Sequence, residues 1–454
     1  MSKRLWPLGS ASSSPAATAK PVSTSSDDDV SRAIPLADSG VAKEVSAKSE
    51  ATEDVDHGDG ERYGFGYLDA DQVYLDSACQ TLRPEPVIDA IDEYYLDYNA
   101  CGERVKYDWG IKVDDQVEAT RLAVLKFLGL SKKQYSTSFT LNTTYALNLI
   151  LQQLPHGRFK RVITTHTEHN SVFLSTMSFA KREGIERVLL ERAEGSGVDG
   201  HLVYTADQLR DAVVVVSAQN NVTGAPTLGL PELVKATRKA GGITIIDAAQ
   251  AVAHGLDLVR GLNADAICFS GHKVYGASLG VVAARNELLE SLDVVFIGGG
   301  QVASVTGDGY QLLSELHTRL EPGLQAWAEI IALGEALKWL TGYESATGIS
   351  IEAHERALAE RLYDGLVELP RMTLLGERGS ALLAVEPKRV DGHRLAGFLS
   401  KANIMVRSGY FCAHHWIKER EGHGPLARFS LGAHSSADDV DRTLEVVGKL
   451  MRGL

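Results

Sequence analysis

Short apolar runs alternate with longer amphipathic stretches through the middle of the chain, and that alternation predicts the architecture. A strand at 139–142 leads into a helix at 143–154, and a strand at 161–165 into a helix at 170–182. Strands follow at 186–190, 212–218, 242–247, 266–270 and 281–284, with a helix at 231–240 among them. Before this block, Tyr74-Leu-Asp-Ser-Ala78 reads as a short strand, and apolar positions recur at helical spacing over 87–98 and 117–127. Strands separated by helices pair in parallel through right-handed crossovers, so the expected class is α/β, a mostly parallel sheet covered by helices. After Gly323 the pattern changes to long helices at 326–340 and 351–367, strands at 372–375, 381–385, 404–406 and 427–432, a helix at 392–402 and a last helix opened by the capping signal Ser436-Ala-Asp-Asp439. The expected organisation is a large domain over 61–325 and a small C-terminal α+β domain over 326–454, with no internal repeat. Residues 1–60, rich in Ser, Ala, Asp, Glu and Lys, carry too little apolar surface to offset the entropy of ordering and are expected to form a disordered tail.

Composition narrows the function classes. With 44% hydrophobic and 23% charged residues in 454, the chain has material for a large core. No apolar run approaches the roughly 20 residues a bilayer requires. A net charge of −13 argues against a nucleic-acid binder and for small-molecule chemistry. Four scattered cysteines, Cys79, Cys101, Cys268 and Cys412, form neither a disulfide framework nor a zinc pattern, which points to a reducing compartment and a cytoplasmic location. The first 26 residues carry Lys3, Arg4 and Lys20 without an acid, so organelle targeting is the alternative to a plain tail.

The chemistry is densest between Asp247 and Gly276. Asp247 closes one hydrophobic strand and Lys273 follows another, and in open α/β sheets ligands dock outside the strand carboxyl ends. An amine able to form a Schiff base and a carboxylate able to hold a protonated ring nitrogen are what pyridoxal phosphate requires. Alone, Lys273 reads first as a snorkelling surface lysine, and Asp247 reads as well as a helix cap. Ser270, His272, Thr143 and Thr144 can donate to a phosphate, and the threonines also suit a simple helix start. Gln250 follows Asp247 closely, and Asn221 either donates to a ring hydroxyl or serves a turn.

His169, past another strand end in His166-Thr-Glu-His169, can stack on an aromatic cofactor and shuttle protons near neutral pH. Its other readings are a structural histidine and half of a metal site; without HExxH or a third ligand, no metal is expected. Cys412 stands in Val406-Arg-Ser-Gly-Tyr-Phe-Cys-Ala-His-His-Trp416, where Arg407, His414 and His415 would favour its thiolate, and it reads otherwise as an inert cysteine. Arg428 offers a fork for a substrate carboxylate, or an ordinary salt bridge.

Tyr74-Leu-Asp-Ser-Ala78, Thr143-Thr144, Glu168-His169-Asn170, Asn221-Val-Thr-Gly224, Asp247-Ala-Ala-Gln250, Ser270-Gly-His-Lys-Val-Tyr-Gly276 and Arg407-Ser-Gly-Tyr-Phe-Cys-Ala413, in this order, resemble the class V aminotransferase superfamily of fold-type I pyridoxal-phosphate enzymes. The last motif is most like the group II cysteine desulfurase and selenocysteine lyase branch. The resemblance spans about Tyr74 to Leu450. It implies a fold-type I homodimer, with Lys273 carrying the cofactor, His169 stacked on its ring and Asp247 holding the ring nitrogen. Gln250 and Asn221 would address the phenolic oxygen, and Thr143, Thr144, Ser270 and His272 the phosphate. Arg428, with Arg407 and Asn221, would bind the amino-acid substrate. Cys412 would take its sulfur as a persulfide, releasing alanine and passing sulfur to an acceptor protein.

The chain departs from the family pattern at three places. Leu324 stands where a hydroxyl often reaches the partner subunit's phosphate, 103–110 replaces an expected His-Arg-Gly run, and Tyr410-Phe411 replaces a polar pair. The other expectations consistent with the motifs are an aminotransferase, epimerase, lyase or molybdenum-cofactor sulfurase-like activity, or a non-catalytic relative serving as a scaffold. Cys79 adds a cysteine near the expected site.

Overall fold

The computed structural model describes residues 62–103, 105–193 and 200–453; the expected tail over 1–60 lies outside them. In chain order the elements begin with β1 (Val73–Leu75), α1 (Glu85–Asp97), α2 (Asp108–Phe127), β2 (Tyr135–Thr140), α3 (Thr143–Gln153), β3 (Arg161–Thr165), α4 (Asn170–Glu183) and β4 (Glu186–Leu190). Next come β5 (Ala212–Ser217), α5 (Leu230–Lys239), β6 (Ile243–Asp247), α6 (Ala251–His254), β7 (Ala266–Ser270), β8 (Gly280–Arg285), α7 (Asn286–Glu290), β9 (Val302–Val305) and β10 (Tyr310–Leu312). The last are α8 (Trp327–Thr347), α9 (Ile351–Val367), β11 (Met372–Leu375), β12 (Leu382–Pro387), α10 (Gly392–Ser400), β13 (Ile404–Gly409), β14 (Leu426–Ser430) and α11 (Ala437–Gly453).

Seven strands form one sheet in the order β2-β8-β7-β6-β5-β3-β4. Only β8 runs against its neighbours, so the carboxyl ends of the other six share one edge. The central strands read as continuous apolar runs because both faces are covered: Val213 and Val215 face one cluster of buried residues, and Val214 and Val216 face another. Between them these two clusters bury residues from α2, α3, α4, α5 and α8.

The second sheet, β1-β13-β14-β12-β11, draws its first strand from the far end of the sequence. β1 lies parallel to β13 with Leu75 opposite Val406, and Val73, Leu75 and Ile404 are buried in the same apolar cluster as α9, α10 and α11. The strand expected at Tyr74–Ala78 forms one residue earlier and ends at Leu75, and the sequence marked a strand there but not its partner. The capping signal at 436–439 forms as written: Ser436 N–H donates to Asp439 Oδ2 at 2.9 Å, and Asp439 N–H to Ser436 Oγ at 3.2 Å. Helix α8 runs seven residues beyond its predicted end, to Thr347, where Gly348 closes it at φ 76°. The β9–β10 hairpin and a π-helical turn at His415–Arg420 lack an apolar period and went unpredicted.

Candidate active site

Residues beyond the shared strand edge of the large sheet meet the end of β13 around one cavity of about 480 Å³. Thr143, Thr144, His169, Asn221, Asp247, Gln250, Ser270, His272, Lys273, Arg407, Cys412 and Arg428 all line it, so every residue expected to bind cofactor or substrate or to react lies at one site, while His414 and His415, expected beside the thiol, are not part of its lining. Ser171, Ser217, Gln219 and Cys79 line it as well.

One end of the cavity is a cluster of hydroxyls between two helix starts. Asn142 caps α3 through its side chain, which accepts from Tyr145 N–H at 2.9 Å. Ser270, at the end of β7, accepts from Thr143 N–H at 3.0 Å and shares a 2.6 Å hydrogen bond with the Thr143 hydroxyl. Thr144 and Ser171 pair their hydroxyls at 2.5 Å, joining α3 to α4. Several hydroxyls gathered at two helix starts and lining one space suit an anion. The close approach requires Gly280 on β8, where a Cβ would stand 2.6 Å from the Asn142 carbonyl carbon and 2.3 Å from Thr140 Oγ1.

His169 caps α4, with Nδ1 accepting from Ser171 N–H at 3.1 Å. An amide can only donate, so the ring proton sits on Nε2. Burial, with Lys273 and Arg428 adding to it, lowers its pKa to about 3. The imidazole is therefore a neutral N–H donor at ordinary pH, where the sequence suggested a shuttle titrating near neutrality. The turn before it is fixed by Glu168, fully buried, which accepts from Thr165 Oγ1 at 2.7 Å and Ser217 Oγ at 2.5 Å. His166 is carried away, to His415 at 3.2 Å and Glu191 at 3.2 Å. Among the described residues no cluster of three or more His, Cys, Asp or Glu could hold a metal ion.

Deeper in, Asp247 Oδ1 accepts from Ala249 N–H at 2.9 Å. Burial pushes the Asp247 carboxyl up, and the Ala249 amide and Lys273 pull it down. Lys273 follows β7 on a single 3-10 turn and makes no side-chain hydrogen bond or ion pair among the described residues. Desolvation lowers its pKa, opposed first by Asp247, which favours the free amine a carbonyl needs. His272 is lowered to about 4 by burial and then by Lys273. Gln250 Nε2 donates to Ala78 O at 2.7 Å, while its buried Oε1 has no partner.

The mouth is built by the second sheet. Arg428, 3% exposed, donates to Asn221 O at 2.6 Å and to Asp76 Oδ1 at 3.3 Å, lies 4.9 Å over the Phe411 ring, and keeps Nε without a partner. It thus makes the salt bridge and still faces the cavity. Arg407 reaches Asp76 Oδ2 at 3.6 Å from a half-exposed position. Asn221 Nδ2 is committed to Phe411 O at 2.7 Å, so its amide nitrogen holds the loop carrying Cys412. Phe411 and Cys412 are successive non-glycine residues at φ 47° and 55°, an uncommon conformation that costs energy at each. Asn170 N–H, donating to Cys412 O at 2.6 Å, holds it there. The cations expected around the thiol have other partners: His414 meets Asn170, and His415 meets His166 and stacks on Phe173 at 4.4 Å.

The description "Aminotransferase class-V" belongs to a family model that matches residues 73–443. This chain belongs to that family. Among class-V relatives, a probable cysteine desulfurase of Vibrio cholerae is 31% identical over 385 residues, covering 83% of this chain and 93% of the relative. One of Pseudomonas aeruginosa is 32% identical, covering 82% and 91%. Among solved structures, the apo cysteine desulfurase of Thermococcus onnurineus superposes with a TM-score of 0.76 at 29% identity, covering 84% of this chain and 95% of that one. The class-V match takes in both sheets, from the first residue of β1 into α11. Asp76, inside the first motif, and Ser171, one residue past Glu168-His169-Asn170, are site residues that sequence reasoning did not single out; Ser171 stands two places after His169, a spacing that signals a capping hydroxyl.

Proposed function

We propose that this chain is a pyridoxal-phosphate-dependent cysteine desulfurase that converts L-cysteine to L-alanine and stores the sulfur as a persulfide on Cys412. The observation that carries the reading is Cys412 lining the same cavity as Lys273, Asp247 and His169. The residues fit the cofactor: a buried acid with one oxygen uncommitted, an unpartnered amine, an orphan Gln250 Oε1, and hydroxyls gathered at two helix starts. Bound there, pyridoxal phosphate supplies a carbonyl for the amine and an electron-withdrawing ring.

Lys273 is the amine and carries protons within the site. With the cofactor bound, Asp247 would hold the ring N–H, His169 would pack against the ring as a neutral donor, and Gln250 and Asn221 would address its oxygen. Thr143, Thr144, Ser270 and His272 would bind the phosphate. Arg428, with Arg407 and Asn221 beside it, receives the substrate carboxylate. Cys412, as thiolate, forms a bond to the substrate sulfur while the bond from that sulfur to Cβ breaks; Cβ ends protonated, so cysteine and the Cys412 thiol become alanine and a persulfide. The exposed position of Cys412 suits transfer to a sulfur-acceptor protein.

The reading extends to a homodimer, an association state that sedimentation velocity reads directly. The same reading keeps a large domain at 61–325 and a small one at 326–454, and a cytoplasmic location that suits a working thiol. No helix among the described residues is long and apolar enough to cross a membrane. The test is purified protein with visible absorbance, borohydride reduction fixing the cofactor to Lys273, and alanine release from L-cysteine. Cys412→Ser is expected to keep the absorbance and lose at least about 100-fold in alanine formation, as loss of a nucleophile does. Alanine at the parent rate from that variant ends the proposal.

A further inference from the structure

We propose that Cys79 is a second working thiol of this cavity, which attacks the persulfide on Cys412 to form a Cys79–Cys412 disulfide and release hydrogen sulfide. The inference rests on the desulfurase reading above and adds to it the fate of the sulfur when no acceptor takes it.

The pairing follows from the sheet. β1 and β13 run parallel with Leu75 opposite Val406, so both chains leave the sheet at the same edge. Cys79 lies four residues beyond Leu75 and Cys412 six beyond Val406. Past the strands, the two arms are bound to common residues. Asp76 pairs with Arg407 at 3.6 Å and Arg428 at 3.3 Å; Gln250 fixes Ala78 O at 2.7 Å, and Asn221, whose own carbonyl receives Arg428, fixes Phe411 O at 2.7 Å. Both thiols line the cavity, and both draw the pKa of Lys273 upward, so each lies within electrostatic reach of that one amine. The other two cysteines are excluded by position: Cys268 is buried within β7, where burial raises its thiol far above the ordinary range, and Cys101 is exposed and outside the cavity lining.

The step balances without an outside oxidant. Cys79 as thiolate attacks the inner sulfur of Cys412–S–SH; the new bond joins Cys79 to Cys412, and the sulfur–sulfur bond of the persulfide breaks. The outer sulfur leaves as hydrosulfide, which takes the proton lost by Cys79. The sulfane sulfur is reduced and the two cysteine sulfurs are oxidised. Hydrosulfide is the conjugate base of a stronger acid than an alkyl thiol, so attack on the inner sulfur has the better leaving group. A dithiol reductant then restores both cysteines, being oxidised itself to a disulfide.

The experiment uses full-length holoenzyme under anaerobic conditions with one equivalent of L-cysteine and no reductant, followed by non-reducing peptide mapping. Alanine, and its loss in Cys412→Ser, report on the desulfurase reading alone. The proposal expects a linked Cys79–Cys412 peptide lighter by two hydrogen atoms than its parts, and one sulfide for each alanine. In Cys79→Ser and Cys79→Ala it expects the Cys412 peptide to carry the extra sulfur atom, with loss of sulfide release. An unlinked wild-type Cys412 retaining the extra sulfur, an extra sulfur found on Cys79, or equal sulfide from the variants overturns it. Diamide oxidation of the same protein is expected to join Cys79 to Cys412 in preference to Cys101 or Cys268; failure there overturns the pairing even if no alanine forms.

Discussion

Arg428 holds Asn221 and Asp76 and also lines the cavity, so its salt bridge leaves room for the proposed substrate clamp and the two readings were indistinguishable in sequence. A lysine at that position keeps the charge but loses the planar fork. Arg428→Lys is expected to raise KM for L-cysteine about 10- to 100-fold, the worth of one charge-assisted hydrogen bond of roughly 1.5–3 kcal/mol, with a smaller fall in kcat. Steady-state kinetics checks it, and an unchanged KM removes Arg428 from the substrate site. His169 shows the limit of reading single residues. Its place after a strand was visible in the sequence, whereas its neutrality depends on how deeply the cavity wall buries it.

At the scale of elements, strands at 161–165, 186–190 and 266–270 and the helix at 351–367 were legible to the residue, because apolar period and flanking turns agree there. The motifs also collected the site, since most of its residues follow strand ends directly. Partners across the fold were not legible: nothing near Cys412 in sequence says that Asn221 and Asn170 will hold its loop, and local cations that looked like its neighbours turn elsewhere. The anion cradle depends in turn on a residue without a side chain. Gly280→Ala would press a methyl group into the Asn142 backbone and displace the start of α3. The expected outcome is cofactor affinity lower by about 10-fold or more, from about 1.4 kcal/mol or more of lost positioning, read by titrating apoprotein with pyridoxal phosphate. An unaltered titration argues that α3 contributes nothing to the anchor.

For the whole molecule, acid sensitivity follows from histidines buried in the neutral form. His169 is lowered to about 3 and His434 to about 4, both chiefly by burial; His434 donates from Nε2 to Tyr74 O at 2.9 Å. Their folded pKa values lie below the unfolded value of about 6.5, so the unfolded chain binds more protons between these limits. Their contribution is therefore full above about pH 6.5 and declines as pH falls toward 4 and then 3, by up to about 1.4 kcal/mol per pH unit for each. Urea unfolding of the apoprotein from pH 7.5 to 4.5 is expected to show that slope, and His434→Gln to flatten it. A slope unchanged in the variant excludes His434 as a source.

The pairing of Val73 with Ile404 also sets an order of construction. Every strand of the seven-stranded sheet has been synthesised by Arg285, well before β13 leaves the ribosome. β1 must wait for a partner from almost the other end of the chain, and long-range parallel pairing is slow to form. A nascent chain thus has the residues of the anion cradle, Asp247 and Lys273 before it has Cys412, and Cys79 meets Cys412 only when the last sheet closes. During synthesis, the thiol that would take sulfur arrives after the apparatus that would activate the substrate.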